Sequence, residues 1–149
     1  MDNIIVYVDD AEYAKHLLQP MLASDDSRKP TRWIVVGCAP HLSHDASKWV
    51  SHAALESWRG EWADKVFVQL APLLRHDGNA VVTRLGQTEL SSQSKSLMKE
   101  FGQARVLDAR RPKFGQNLQP VTATQIQQHH GALGVAVALA TAAVLAALN

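Results

Sequence analysis

The chain of 149 residues contains a single cysteine, Cys38. A lone cysteine excludes an internal disulfide, so the fold does not depend on an oxidising compartment. Fifteen basic side chains nearly balance fourteen acidic ones, and no basic stripe is interleaved with aromatic residues, which argues against nucleic acid as a partner. The first residues lead directly into an apolar run, without the basic start and cleavage site of a secretory signal, so we expect no export.

Sequence motifs of the common enzyme classes are also missing. The chain contains no Walker loop, no dinucleotide-binding G-x-G-x-x-G and no H-E-x-x-H zinc motif. Four serines, at 91, 92, 94 and 96, fall on one predicted helix without the glycine elbow that surrounds a nucleophilic serine. The sequence therefore favours a protein with no catalytic residues and no resident cofactor, although a bound adenine nucleotide stays open.

Four short apolar runs, rich in β-branched residues, are separated by segments with helical spacing. Continuous apolar runs are typical of parallel strands that are buried on both faces. The runs cover 4–8, 33–37, 80–85 and 105–109. Their alternation with helices predicts an α/β fold, a three-layer Rossmann-like open parallel sheet of about four strands with right-handed crossovers. A C-terminal hydrophobic helix is added to this unit.

The first two predicted helices carry features that limit their length. Asp9 can cap the first helix, and Pro20 should bend or end it because proline lacks the amide donor. As one helix, the second helical segment, 45–76, would be much longer than a five-residue strand, since a helix rises ~1.5 Å and a strand ~3.3 Å per residue. We therefore expect a break or kink in this segment, near Gly60 or Pro72.

The third predicted helix runs from about residue 89 to residue 101. Thr88 precedes it as the expected cap, because a threonine hydroxyl can accept a first-turn amide. Gly102 stands where a helix usually stops.

Charge is distributed very unevenly along the chain. Every charged residue lies between Asp2 and Lys113, and no Asp, Glu, Lys or Arg occurs from Phe114 to Asn149. This change of composition predicts three parts, an α/β domain at 1–113, a linker at 114–121 and a C-terminal apolar helix at 122–149.

The C-terminal apolar helix predicts a membrane anchor. Residues 132–148 just meet the ~17-residue minimum of a membrane span. A helix that is apolar on every side needs cover all round, which one small sheet does not give. Burial inside the domain, or against copies of itself in a soluble oligomer, are the alternatives.

Small residues and nearby basic residues refine the prediction for this helix. Gly134 and Ala138 are four apart and allow close approach of a second helix, so we expect a helical membrane protein or a homo-oligomer as partner. Arg110, Arg111 and Lys113 lie upstream of the span and favour a cytoplasmic position for the globular domain. The expected location is therefore the inner (cytoplasmic) membrane.

A second hypothesis concerns a metal site at Cys38, His41 and His44, which follow the second strand in the pattern C-x-x-H-x-x-H. Zinc accepts thiolate and imidazole ligands, but a structural site needs four. The alternative interpretation is a buried cysteine and a helix start capped by His44 or Asp45.

Another group of candidates follows from the fold itself. Open α/β sheets bind ligands beyond the carboxyl ends of the strands, where the strand order reverses. If the first and fourth strands are neighbours, the aspartates after one face the arginines after the other. Carboxylates can then hold ribose or adenine donors, while arginines and helix amides hold phosphate. The candidate ligand-binding residues are Asp9, Asp10, Cys38, Thr88, Arg110 and Arg111. The alternative is helix capping by aspartate and a solvated basic stretch.

The stretch NIIVYVDDAEYA, a strand that ends in aspartate, resembles the universal stress protein family and related adenine-nucleotide α-hydrolase-like domains. With the alternating unit order, the resemblance covers roughly residues 3–109. It implies that Asp9 or Asp10 contacts the adenosine part of ATP. The family's phosphate loop, G-x-x-G followed nine residues later by G and Ser or Thr, is not present in this sequence.

Tryptophans are concentrated in the second helical segment. Trp58 and Trp62 are four residues apart and share a helix face, which suits either core packing or a protein or membrane interface. The leading hypothesis is a non-catalytic, membrane-anchored accessory protein that docks on a membrane protein or on itself. A nucleotide-sensing module of the stress-protein type and a metalloprotein are the alternatives.

Overall fold

In a computed structural model, the described part of the chain forms a four-stranded sheet with three helices. The structure describes residues 2–24, 30–40, 48–76, 78–87, 89–112 and 118–123. The strands are β1 (Asp2–Val8), β2 (Thr31–Gly37), β3 (Ala80–Leu85) and β4 (Arg105–Ala109). The helices are α1 (Ala11–Ser24), α2 (His52–Leu74) and α3 (Leu90–Phe101).

All three strand pairs are parallel, and the strand order is β3-β2-β1-β4. The chain steps outward from β1 to β2 and β3, and then crosses back over β1 to reach β4. Right-handed crossovers require the third helix to lie on the opposite face from the first two. The strand order therefore reverses between β1 and β4, and the prediction of an open parallel α/β sheet is confirmed.

The two faces of the sheet bury two separate sets of side chains, because successive residues of a strand point to opposite faces. Helices α1 and α2 pack on one set, which includes Val6, Val35 and Leu107. Helix α3 packs on the other set, which includes Ile5 and Ile34. Burial of both faces explains why the strands have apolar runs without polar alternation.

Helix α1 differs from its prediction in its cap and in its end, while a bend at Pro20 stays a prediction. Asp10, rather than Asp9, caps the helix, because its Oδ1 accepts the amide of Tyr13 at 3.0 Å. The helix also continues through Pro20 to Ser24. Pro20 is exposed, while Leu18 on the buried side has no exposed surface, so core packing holds the helix together despite the missing amide.

Helix α2 is the largest departure from expectation, because it runs unbroken through Gly60 and Pro72. Its buried residues all lie in the carboxyl-terminal half, at Ala63, Val66, Leu70 and Leu74. A Cβ on Gly37, the last residue of β2, would lie 3.1 Å from Ala63 Cβ, so residue 63 lies at the carboxyl end of the sheet. The predicted break is wrong, because the helix begins beyond the carboxyl end of the sheet instead; the kink that was the other expectation stays a prediction.

The amino-terminal part of α2, residues 52–61, is named the overhang. At ~1.5 Å per residue these ten residues span about 15 Å of helix. Ser51 caps it through an Oγ that accepts the amide of Ala54 at 3.1 Å. Arg59 ties it to the sheet by donating to the carbonyl of Gly86, at 2.6 Å, just after β3.

Helix α3 ends at Gly102, as predicted, where a φ of 96° is accessible to glycine. At its start the N-cap is Glu89, which makes no side-chain capping hydrogen bond, so the cap expected at Thr88 is wrong. Residues 118–123, named the strap, return to this helix after β4. Val121 in the strap has no exposed surface and belongs to the core under α3. Part of the predicted linker therefore lies on the α/β domain, while the proposed domain boundaries stay predictions.

The predicted C-terminal helix lies outside the described residues, except for the strap residues at its start. None of the helices in the described part of the chain combines the length and hydropathy needed to cross a bilayer.

Candidate functional site

The point where the strand order reverses brings the two predicted charged pairs together. Asp9 and Asp10 follow β1, and Arg110 and Arg111 follow β4, its direct neighbour. The Oδ1 of Asp9 accepts the backbone amide of Arg111 at 2.7 Å. The predicted opposition of aspartates and arginines is therefore present in the fold, although a bound ligand there stays a prediction.

Asp10 has two roles at this edge of the sheet. Its carboxylate caps α1 through the Tyr13 amide, and its Oδ2 lies 3.3 Å from Nη1 of Arg111. The hydrogen bond from Tyr13 lowers the pKa of Asp10 most, and Arg111 lowers it further. Arg111 is two-thirds exposed, so this ion pair is a surface contact that adds little stability.

Arg110 makes a buried ion pair that differs from the exposed pair beside it. Its Nε and Nη2 both donate to the carboxylate of Asp108 at 2.8 Å, a bidentate contact. Both residues are less than 5% exposed. Burial alone would lower the pKa of Arg110, but its hydrogen bonds and charge attraction to Asp108 outweigh burial and raise it. The guanidinium is therefore a fixed positive charge inside the domain.

Gln119 in the strap contacts both α3 and Arg110 at this end of the sheet, although no sequence motif points to it. Its Oε1 accepts the first amide of α3, that of Leu90, at 2.8 Å. Its backbone carbonyl accepts a hydrogen bond from Arg110. One of the helix amides that are expected to bind phosphate, that of Leu90, therefore already has an acceptor from the chain itself. A glutamine in a linker gives no local signal for this role.

A second buried network, under the strap, joins β1 to α3. The hydroxyl of Tyr7 lies 2.6 Å from Oγ of Ser94 and donates to the carbonyl of Leu90 at 3.0 Å. The Ser94 hydroxyl in turn lies 2.6 Å from the carbonyl of Val121. Burial raises the pKa of Tyr7 to about 12. Because Tyr7 and Asp108 are register partners, this network and the ion pair are side by side.

Cys38 lies at the same end of the sheet, beyond β2, with its amide bonded to the carbonyl of Val8 at 2.8 Å. A Cβ on Gly86 would lie 3.2 Å from the cysteine sulfur, which shows how closely the neighbouring strand end approaches. Burial raises the pKa of the thiol to about 12. The thiol is therefore protonated near neutral pH, and a protonated thiol is a weak nucleophile and metal ligand.

The tryptophans separate into buried and exposed residues. Trp62 packs on the core beneath α2, whereas Trp58 in the overhang is 37% exposed. Trp49, just before the overhang, is 89% exposed. The shared face predicted for Trp58 and Trp62 thus runs from the core out to solvent.

Several predicted residues lie outside the described part of the chain. These are Thr88, His41, His44, Gly134 and Ala138. Within the described ranges, no three His, Cys, Asp or Glu side chains gather where they could hold a metal ion. The C-x-x-H-x-x-H hypothesis stays a prediction, since its two histidines are not among those residues.

In comparisons with known proteins, no family model, no curated protein and no solved structure matches the chain.

The two ion pairs provide a direct test of the buried charge. Asp108→Asn leaves the Arg110 guanidinium buried and without its counter-ion, so we expect a loss of about 3 to 5 kcal/mol in the free energy of unfolding. Asp10→Asn is the matched control, because asparagine also caps helices and the Arg111 pair is exposed; we expect a loss below about 1 kcal/mol. Urea denaturation measures both, and equal losses would contradict the assignment.

Because its hydroxyl is buried, Tyr7 should lower the free energy of unfolding at alkaline pH. Its folded-state pKa of about 12 lies above the value of 10.0 for an unperturbed tyrosine. The stabilisation from the protonated hydroxyl is fully present below pH 10 and is lost as the pH rises to 12, by about 2 to 3 kcal/mol. Tyr7→Phe should flatten the fall of unfolding free energy across this window.

Tyr13→Phe is the control for the alkaline experiment, since Tyr13 is the chain's other tyrosine and is only half-buried. It should flatten the pH dependence less than Tyr7→Phe does. If both variants keep the wild-type slope between pH 10 and 12, the buried hydroxyl does not control alkaline stability.

Proposed function

We propose that this protein is a non-catalytic accessory protein, anchored to the inner membrane by its C-terminal helix, with a Rossmann-like domain on the cytoplasmic side. The domain docks on a helical membrane protein or on a second copy of itself. The observation that carries the proposal is the closure of the carboxyl edge of the sheet by the chain's own residues.

Among the residues that the structure describes, this closure leaves few reactive groups at the usual ligand position of the fold. Asp108 and Arg110 form a buried ion pair with each other. Asp9 accepts a hydrogen bond from the main-chain amide of Arg111, and Gln119 accepts one from the first amide of α3. Catalytic sites, by contrast, hold acids, bases or nucleophiles with pKa values adjusted toward the working pH. The pKa of the Cys38 thiol is shifted in the opposite direction, away from reactivity.

The membrane part of the proposal comes from the sequence after the strap. No charged residue occurs beyond Lys113, and residues 132–148 are apolar apart from Thr141. Transfer of such a segment into lipid is favourable, but weakly, because alanine contributes less than leucine. A partner helix packed along Gly134 and Ala138 would add to the stability of the inserted state.

Exposed aromatic surface supports a docking role for the domain. Trp58 in the overhang retains 37% exposure, and tryptophan is enriched both at protein interfaces and at the membrane surface.

The anchor is tested by vesicle flotation of the full-length chain. Leu139→Arg places a charge near the middle of the apolar segment, at a cost of about 3 kcal/mol for insertion, and should move the protein out of the floating fraction. Leu139→Ala is the matched control and should float nearly as well as the wild type. A chain shortened after Ala123, which retains the strap, should remain soluble and folded.

Two outcomes would overturn the anchor. A full-length protein that stays in the soluble fraction as a monomer removes it altogether. A soluble full-length oligomer that becomes monomeric after truncation at Ala123 instead supports the alternative in which the tail forms a subunit interface.

A nucleotide-sensing role, as in the universal stress protein family, is the second candidate. The adjacency of β1 and β4 favours it, because Asp9, Asp10 and Arg111 then meet where this class of fold binds ligands. ATP, ADP or AMP should raise the melting temperature of the wild type, and Asp9→Ala or Asp10→Ala should abolish the rise. A nucleotide-dependent rise that both variants retain would remove this contact.

A further inference from the structure

We propose that Gln93 and Arg84 seal the outer edge of β3, and that without them this edge pairs with β3 of a second copy of the chain. The seal limits how the domain associates, because a copy or a partner must then dock on another surface instead of extending the sheet. The inference goes beyond the proposed function and does not depend on the membrane anchor.

The two outer strands of the sheet, β3 and β4, differ in exposure. In β4, residues 106–109 are at most 5% exposed. Every residue of β3 retains some exposed surface, and Thr83 in its middle is exposed. The sequence of β3, AVVTRL, is rich in β-branched residues, and such edges pair readily with another strand. Strand addition therefore has to be prevented at β3.

The pairing of β3 with β2 shows which of its backbone groups face outward. The amide of Gly86, just after β3, donates to the carbonyl of Gly37 at 2.8 Å, so Gly86 faces β2. Alternate residues of a strand direct their backbone groups to opposite sides, so those of Thr83, Leu85 and Gln87 face away from β2. An added strand would bond to these outward groups.

Gln93, near the start of α3, occupies the carboxyl-terminal part of this edge. Its Nε2 donates to the carbonyl of Leu85 at 3.0 Å, and its Oε1 accepts the amide of Gln87 at 2.9 Å. A parallel neighbouring strand would bond to the same two groups, a carbonyl and the amide two residues further on. Gln93 is only 3% exposed, so its side-chain amide is a fixed substitute for a strand.

Arg84 covers the middle of the edge. Its Nη1 donates to the carbonyl of Thr83 at 3.1 Å. Two further contacts hold the guanidinium in place, since Nη2 donates to Glu100 at 2.7 Å and the group lies 5.6 Å from the centre of the Phe101 ring. A strand that approached Thr83 would have to displace this charged group, and charged side chains on edge strands oppose pairing.

The test removes both seals in the full-length chain. Arg84→Ala combined with Gln93→Ala, named the unsealed variant, frees the carbonyls of Thr83 and Leu85 and the amide of Gln87. In detergent micelles, sedimentation should show a species of about twice the wild-type protein mass, because two identical edges pair around a two-fold axis. Hydrogen exchange at the amide of Thr83 should be slower than in the wild type.

A second double variant controls for the loss of side-chain contacts. Arg32 lies 5.3 Å from the centre of the same Phe101 ring but belongs to the central strand β2. The side-chain amide of Asn79 also makes two backbone hydrogen bonds, with Thr31 and Leu74. Arg32→Ala combined with Asn79→Ala therefore removes comparable contacts without opening the edge, and should keep the wild-type mass.

Thr83→Pro, added to the unsealed variant, identifies the surface that pairs. Proline lacks the amide that Thr83 directs outward, so it blocks strand addition and leaves the hydrogen bonds between β2 and β3 in place. The chain with all three substitutions should return to the wild-type mass.

Three results would overturn the sealed edge. The unsealed variant could keep the wild-type mass and a freely exchanging Thr83 amide. Its larger species could persist after Thr83→Pro, which places the contact elsewhere. Thr83→Pro could halve the mass of the wild type, which shows that the edge already pairs.

Arg84→Ala alone decides the matter if circular dichroism shows that the unsealed variant is unfolded. The side chain of Arg84 is 40% exposed, so its loss leaves the core intact while it frees the carbonyl of Thr83. This variant should also form the species of doubled mass, and a mass equal to that of the wild type would refute the seal.

Discussion

The buried guanidinium of Arg110 joins parts of the domain that are far apart in the chain. It donates two hydrogen bonds to the carboxylate of Asp108 near the end of β4 and a third to the carbonyl of Gln119 in the strap. A buried charge is tolerated only when it is paired and hydrogen-bonded, so the position of the strap depends on this ion pair. Through the strap, the pair also determines where the C-terminal segment leaves the domain.

The return of the chain from β3 across β1 to β4 explains why charge collects at this point. Reversal of the strand order leaves a crevice at the carboxyl ends of β1 and β4, and the residues after both strands border it. Many α/β proteins fill this crevice with a ligand. Here Arg110 bonds to Asp108 and to the carbonyl of Gln119, and Gln119 accepts the first amide of α3. These internal contacts are the basis on which a role in assembly and anchoring is proposed.

The mismatch in length between helix and strand has a consequence for function. A break in α2 near Gly60 or Pro72 was predicted on the assumption that a crossover helix must match the strands it covers. The helix instead continues past the sheet, because polar residues face solvent there and Arg59 ties it to the carbonyl of Gly86. The start of α2 is thereby left at the surface, where Trp58 is 37% exposed, and this exposed aromatic surface is what supports the proposed docking role.

How much of this molecule was predictable depends on the range of the interactions involved. The four strands, the carboxyl end of α3 and the uncharged C-terminal segment follow from the sequence alone, because apolar periodicity, glycine and charge act through near neighbours. The candidate residues Asp9, Asp10, Arg110 and Arg111 were identified because the ends of parallel strands meet at one edge.

The partners of those residues were decided only by the tertiary structure. Asp10, and not Asp9, caps α1. Arg110 forms a buried ion pair with Asp108, and Gln119 accepts a hydrogen bond from the first amide of α3. A hydrogen bond between residues about thirty positions apart leaves no local pattern, since it depends on where a distant segment passes. The sequence by itself thus determined the elements and their order, and the packing of the strap determined which polar groups remain available at the carboxyl edge.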